Sequence, residues 1–84
     1  IKRIKRRGLL RNVAVALGNS KNPKAIPPLL RVLNDKEPLI RAHAIWALGE
    51  LSGPEVIPVI RKKLNNENED IVLTELERVV TRFA

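Results

Sequence analysis

The sequence L-I-R-A-H-A-I-W-A-L-G-E-L, residues 39–51, decides the fold. Its apolar residues recur at steps of three and four, so they share one stripe of an α-helix: Ile40, Ala44, Ala47, Leu48 and Leu51. The stretch is also echoed earlier in the chain. A step of 31 residues carries the A-L-G of residues 16–18 onto that of residues 47–49, and it likewise relates Pro27 to Pro58 and Asn34 to Asn65. Self-similarity at this period is typical of stacked helix pairs.

The apolar pattern predicts five helices, at residues 9–18, 24–34, 38–51, 55–64 and 69–83. They divide a single domain of residues 1–84 into a basic lead-in (1–7), a first repeat (8–35), a second repeat (36–66) and a terminal half-repeat (67–84). The expected fold is therefore all-α, an α-α superhelix of about two and a half HEAT-like helix pairs. The chain opens inside a basic helical pattern without methionine, so we expect it to be a fragment of a longer protein.

Several details of the helices can also be predicted. Gly8 permits a bend after the lead-in, which is then either the last turn of an earlier helix or a frayed arm. Gly18 and Gly49 stand where a left-handed C-terminal cap is expected, and Asp35 is a predicted N-cap. The first helix is expected to turn inward an apolar stripe of Leu9, Val13, Ala16 and Leu17.

Charge is distributed unevenly along the chain. Residues 1–34 carry nine basic and no acidic side chains, whereas residues 35–84 carry seven basic and nine acidic ones, for a net charge of +7. This asymmetry indicates an anionic partner at one end of the molecule, although a merely solubilising face is the alternative.

The basic residues of the lead-in, together with Arg11, are the best candidates for nucleic-acid contact. Binding to the phosphate backbone of a nucleic acid requires several cations close together. Three further residues are candidates for RNA contact: Asn12, Arg41 and His43. Asn12 and His43 are 31 residues apart, so both repeats place a polar group at the same point. The predicted RNA-binding residues are Lys2, Arg3, Lys5, Arg6, Arg7, Arg11, Asn12, Arg41 and His43.

Aromatic residues are scarce, since only Trp46 and Phe83 are present. Base stacking is therefore not indicated, and any RNA contact is expected to be electrostatic. Trp46 either packs against the next helix pair or anchors an interface with another domain. His43 is either structural or a contact residue.

The residue types for catalysis are missing. The chain has one histidine, no cysteine and no glycine-rich phosphate loop, so we predict no catalytic, cofactor-binding or metal-binding residues in it. No apolar run is long enough to span a membrane.

Two phrases, G-L-L-R-N-V-A-V-A-L-G-N at residues 8–19 and P-L-I-R-A-H-A-I-W-A-L-G at residues 38–49, resemble the C-terminal HEAT-like region of epoxyqueuosine reductases. The resemblance implies a cytoplasmic parent oxidoreductase of tRNA queuosine synthesis. Its catalytic domain, with cobalamin and two 4Fe–4S clusters, would lie outside this chain. The chain would then be an accessory domain that helps to hold the anticodon stem-loop of tRNA and contacts that catalytic domain.

Two alternatives remain open. The chain could be a HEAT protein-interaction module with no role in RNA binding, whose basic end serves solubility or an acidic partner. It could also be a lyase-like HEAT protein that acts on a tetrapyrrole-bearing partner, although only the style of the repeats favours this.

Overall fold

The computed structural model describes the backbone of residues 2–84 and the side chains of residues 5, 6 and 8–84. Five α-helices follow one another: α1 (Lys2–Ser20), α2 (Ile26–Val32), α3 (Pro38–Leu51), α4 (Val56–Lys63) and α5 (Asp70–Arg82). A 3-10 turn, Pro23–Ala25, precedes α2. The described residues contain no strand. The prediction of an all-α superhelical fold is confirmed.

The central helix α3 organises the molecule. It packs against α1 on one side and α5 on the other, so these three helices form one layer, and α2 and α4 pack on α3 as the second layer. Half of the 14 residues of α3 are buried. The largest fully buried side chains come from every helix but α1: Leu29, Leu33, Ile40, Ile45, Leu48, Ile60 and Val72. This core is aliphatic, as the composition requires.

The first helix differs from its prediction in two ways. It runs without a break through Gly8, so no bend separates the basic lead-in from the repeat. The predicted inward stripe is also wrong at Leu9, Val13 and Ala16, and it holds only for Leu17, which is partly buried against the core. Leu9 is 64% exposed and Val13 is 45% exposed, whereas Ala14 is 2% exposed and buried against the core. The apolar residues follow the helical period as predicted. The helix nevertheless turns a neighbouring face, which includes Ala14 and Gly18, toward α3.

The glycines at Gly18 and Gly49, 31 residues apart, have a different role from the predicted one. Neither glycine has a positive φ, and the left-handed residue after α1 is Lys21, with φ 57°. Instead, both glycines allow close contact between helices. A Cβ at Gly18 would lie 3.1 Å from the Cα of Ala47, and one at Gly49 would lie 3.1 Å from a methyl carbon of Val79.

Candidate nucleic-acid interface

The amino ends of α1, α3 and α5 and the carboxyl ends of α2 and α4 lie along one side of the molecule, which we call the inter-repeat edge. Two loops, residues 33–37 and 64–69, form most of this edge. They occupy equivalent places in successive repeats, because each one joins a helix of the second layer to the next helix of the first layer. The edge therefore combines the basic start of the chain with both inter-repeat loops.

Arg41 holds the two loops together. Its Nη1 donates to the backbone oxygen of Asp35 at 2.7 Å, while Nε and Nη2 donate to the two carboxylate oxygens of Glu67 at 2.8 and 2.9 Å. The Arg41 side chain is 14% exposed and that of Glu67 is 5% exposed. Such a two-pronged, largely desolvated pair fixes the relative position of the loops.

Asp35 in the first loop and Glu67 in the second make equivalent hydrogen bonds. The carboxylate of Asp35 accepts the Glu37 amide at 2.9 Å, and that of Glu67 accepts the Glu69 amide at 3.1 Å. Asp35 also forms an ion pair with Arg6 of α1. In each loop the acid thus binds the amide of the residue that precedes the next helix and accepts an arginine from an earlier helix. The prediction that Asp35 is the N-cap of α3 is wrong, because Glu37 holds that position and Asp35 binds the Glu37 amide, which precedes the first turn of the helix.

Both loop carboxylates are held in their charged form. Burial by itself would raise the pKa of Asp35, but hydrogen bonds from Arg6 and the Glu37 amide lower it overall. Burial likewise acts to raise the pKa of Glu67, and hydrogen bonds from Arg41 and the Glu69 amide outweigh it. The net pKa of each acid is therefore below its ordinary value.

This network changes the list of candidate RNA contacts. Arg41 is committed to internal bonds and largely buried, so we remove it from the surface that can meet RNA. Arg6 is exposed, but it is paired with Asp35. The side chains of three further candidates, Lys2, Arg3 and Arg7, lie outside the described residues, although their backbone belongs to α1.

The remaining candidates of α1 are accessible. Lys5, Arg11 and Asn12 are all exposed, and no acid among the described residues pairs with either cation. The edge adds residues that the sequence reasoning did not single out. A polar depression between the two loops is lined by Lys36, Lys63 and four asparagines: Asn34, Asn65, Asn66 and Asn68. The 31-residue match between Asn34 and Asn65 is the sequence signal that could have indicated this edge.

His43 and Trp46 belong to a different surface. Both line a groove of about 750 Å³ across the layer of α1, α3 and α5, together with Val15, Leu39 and Ile71. The Nδ1 of His43 lies 2.8 Å from the backbone oxygen of Leu39, a carbonyl that can only accept, so this nitrogen carries the proton. His43 therefore has a structural bond through Nδ1, and its half-buried ring lines the groove.

At the opposite edge of the molecule, one carboxylate forms two ion pairs. Glu50, near the end of α3, accepts Lys21 at 3.3 Å and also forms an ion pair with Arg82 of α5. The hydrogen bond from Arg82, with a weaker one from Lys21, lowers the pKa of Glu50. Both of these cations are thus occupied inside the protein.

No group of three or more histidine, cysteine, aspartate or glutamate side chains in residues 2–84 is arranged to hold a metal ion. None of the helices described has both the length and the apolar character needed to cross a bilayer.

Residues 6–80 match the family described as HEAT repeats. The chain is similar to epoxyqueuosine reductases of Bacillus cereus (39% identical over 83% of this chain and 19% of the relative) and Bacillus subtilis (32% identical over 81% and 18%). A deoxyhypusine hydroxylase of Neurospora crassa is 38% identical over 80% of this chain and 21% of its own length. The chain thus spans about a fifth of the length of these relatives. No solved structure matches it significantly. The extent of the family match means that this chain belongs to the HEAT-repeat proteins.

Proposed function

We propose that this chain is a HEAT accessory domain of an epoxyqueuosine reductase and that its inter-repeat edge binds the phosphate backbone of the tRNA anticodon stem-loop. The observation that carries the proposal is the concentration of unpaired cations at this edge. Lys5, Lys36 and Lys63 are exposed there, and no ion pair to any of them occurs among the described residues. Similarity to the reductases supports the choice of RNA as the polyanion.

The sequence of α1 strengthens the electrostatic argument. The first six residues of α1 include five basic ones and no acid. Neighbouring cations repel one another in the free protein, and an RNA phosphate near them would be attracted by several side chains at once.

The internal network supplies rigidity to the same edge. Arg6, Asp35, Arg41 and Glu67 connect α1 to both loops, so Lys36 and Lys63 are presented from anchored backbone. The asparagines of the depression offer amide donors for phosphate or ribose oxygens. Because this edge has no aromatic residue, recognition would depend on the shape and charge of the RNA backbone.

The reductase chemistry would belong to the remainder of such a parent protein. Iron–sulfur clusters are held by cysteine thiolates, and this chain has no cysteine, so its residues do not fit such a cluster. The proposed cofactors of the parent, cobalamin and two 4Fe–4S clusters, therefore have no role assigned to residues of this chain. Contact with the catalytic domain of the same parent is part of the proposal.

The test is binding of a fluorescein-labelled RNA hairpin with the sequence of a tRNA anticodon stem-loop, followed by fluorescence anisotropy. Binding should be weak and should fall steeply between about 50 and 200 mM salt, because phosphate contacts release counterions. The variant Lys36→Glu should weaken binding several-fold and reduce the salt slope by about one unit. Adding Lys63→Glu should weaken it further.

The matched control is Lys24→Glu, which makes the same charge change at the opposite edge, in the turn before α2. Lys24 is exposed like Lys36, and neither forms an ion pair with another described residue, so net charge alone would make the two variants equivalent. Equal losses from both variants, or no binding at the lowest salt, would contradict the proposed edge.

A second function, a protein-interaction module without an RNA role, is favoured by the groove. Its floor combines Leu39, Ala42 and Trp46, and Ile71 at its wall is 46% exposed. Apolar grooves with an aromatic side chain are common sites of protein contact. If the RNA test fails while Trp46→Ala abolishes association with the parent catalytic domain, this second function replaces the first.

A further inference from the structure

The three helices of the first layer carry the same apolar stripe, but it is exposed to solvent only in α1. In α3 the stripe of Ile40, Ala44 and Ala47 is 0% exposed. A step of 32 residues gives the α5 stripe, in which Val72 and Val79 are 1% and 2% exposed and Leu76 is partly buried. The equivalent residues of α1 are exposed, namely Leu9 at 64%, Val13 at 45% and also Ala16.

The helix that covers each buried stripe is known. Gly18 of α1 approaches Ala47 of α3, where a Cβ on the glycine would be 3.1 Å from the alanine Cα. One repeat later, Gly49 of α3 approaches Val79 of α5 in the same way. The covering element is thus the preceding helix of the layer in both cases, and its closest point of approach is a glycine. Continuing the pattern by one step places a helix over Leu9, Val13 and Ala16.

The other end of the layer looks different. The face by which α1 and α3 cover the next helix contains Ala14 with Gly18, and Ile45 with Gly49. Its counterparts in α5 are Glu77 and Thr81, both exposed. These positions of α5 are therefore polar, although Leu73 on the same face is 39% exposed, whereas α1 shows the apolar face that is internal in the other repeats.

We infer that the outer face of α1 is a docking surface for a further helix of the HEAT type, packed on α1 as α1 packs on α3. The partner helix carries a small residue, by the pattern a glycine, over Ala16. It also carries a hydrogen-bond partner near Asn12, which lies on the same stripe as Leu9. This inference depends on the burial of equivalent residues and does not require that the chain bind RNA.

A second copy of this chain fits the surface less well. Stacking α5 of one copy on α1 of another would bury Glu77 and Thr81 against Leu9 and Val13, which is unfavourable for the carboxylate. Pairing two α1 faces would bring together two helices that contain basic residues and no acid. A dimer is therefore an outcome of the test that would contradict the inference.

The experiment uses a duplicated repeat of the chain itself to supply a helix that covers the outer face of α1. A second copy of residues 8–38 is inserted directly before Gly8, which preserves the 31-residue step, so the original α1 now follows a helix of its own kind. The extended array should have a higher Tm than the present chain. Leu9→Glu is then made separately in each copy of α1, and Leu9→Ala serves as a milder variant.

The two copies provide an internal control, because the same substitution is made once on the outer helix and once on the inner one. In the outer copy, Leu9→Glu should change Tm by no more than about 2 °C, as at any exposed site. In the inner copy it should lower Tm by roughly 10 °C or more, since a carboxylate would be buried against an apolar helix. Leu9→Ala should show the same contrast with a smaller loss.

Three results would overturn the inference. The first is an extended array that does not fold or melts no higher than the present chain. The second is an equal loss of Tm from the inner and outer variants. The third is a dimer of the present chain, seen by sedimentation, that Leu9→Glu dissociates, since the occupant of the face would then be a second copy. A monomer under the same conditions supports the helix of HEAT type.

Discussion

The ring of Trp46 rests on Gly18, one helix away in the same layer. A Cβ at position 18 would lie 2.8 Å from Cζ3 of Trp46 and 3.1 Å from the Cα of Ala47, distances at which something must move. The separation of α1 and α3 is therefore set by the absence of a side chain at Gly18. This one contact explains why the sequence keeps glycine inside a helix, where it normally reduces stability.

We expect Gly18→Ala to lower the free energy of unfolding by about 1–3 kcal/mol, because the added methyl group overpacks the contact with Trp46 and Ala47. The control is Gly8→Ala in the same helix, where a Cβ would meet nothing within 4 Å. There, alanine should stabilise the protein by about 0.5–1 kcal/mol through its higher helix propensity. Urea unfolding of the two variants measures both effects. Destabilisation by Gly8→Ala, or none by Gly18→Ala, would contradict this account.

The Ala16 and Ala47 pair tests which faces are packed. Ala47 is 0% exposed, and Ala16, which occupies the same point one repeat earlier, is exposed. Ala47→Leu should cost about 1–3 kcal/mol of stability by overpacking, whereas Ala16→Leu should stay within about 0.5 kcal/mol of the parent chain. Thermal unfolding followed by circular dichroism is sufficient to compare them. Similar melting of the two leucine variants would mean that α1 and α3 do not have the different surroundings described.

The sequence predicted the helices more reliably than the faces that they bury. The bounds of α3 agree with the prediction, because proline at its start and Ser52-Gly53-Pro54 after its end are local signals. The buried face of α1 was mistaken because Leu9 and Val13 form a regular apolar stripe, and periodicity does not say whether a neighbour covers it. Whether a stripe is covered depends on tertiary neighbours.

The site was predicted only in part for a similar reason. Charge composition indicated an anionic partner near the start of the chain, but it could not distinguish free cations from paired ones. Arg41 and Glu67 are 26 residues apart, and no local pattern connects them. The same holds for Arg6 and Asp35. Lys36 and Lys63 were hard to recognise because their proximity to α1 results from the way the repeats stack.

Removing the Arg41 side chain should lower the free energy of unfolding substantially. Arg41→Met would leave the carboxylate of Glu67, 5% exposed, without its main partner, so we expect a loss of about 3 kcal/mol at neutral pH. The control is Arg78→Met, because the Arg78 side chain is 72% exposed and its pair with Glu75 spans 3.4 Å. That change should cost less than about 0.5 kcal/mol. Chemical unfolding gives both values, and adding Glu67→Gln to Arg41→Met should restore part of the loss.

Acid should destabilise the protein through the carboxylates that hold its edges together. The folded state lowers the pKa of Asp35, Glu50 and Glu67, so each acid contributes stability that is complete above its unfolded pKa and is lost as pH falls through its folded pKa. The unfolded values are about 3.9 for aspartate and 4.3 for glutamate, so stability should begin to fall near pH 5 and continue to fall below pH 4.

Arg41→Met provides the test of this pH dependence. Without Arg41, the pKa of Glu67 loses a main cause of its lowering while burial still acts to raise it, so this carboxylate adds less stability above its unfolded pKa. The difference in unfolding free energy between the parent chain and Arg41→Met should therefore be largest near pH 7 and shrink as the pH falls from about 5 to 3. Arg78→Met should run parallel to the parent chain over the same range. A difference for Arg41→Met that stays constant with pH would show that Arg41 stabilises the edge by packing and its bond to the Asp35 carbonyl, without a contribution from the charge of Glu67.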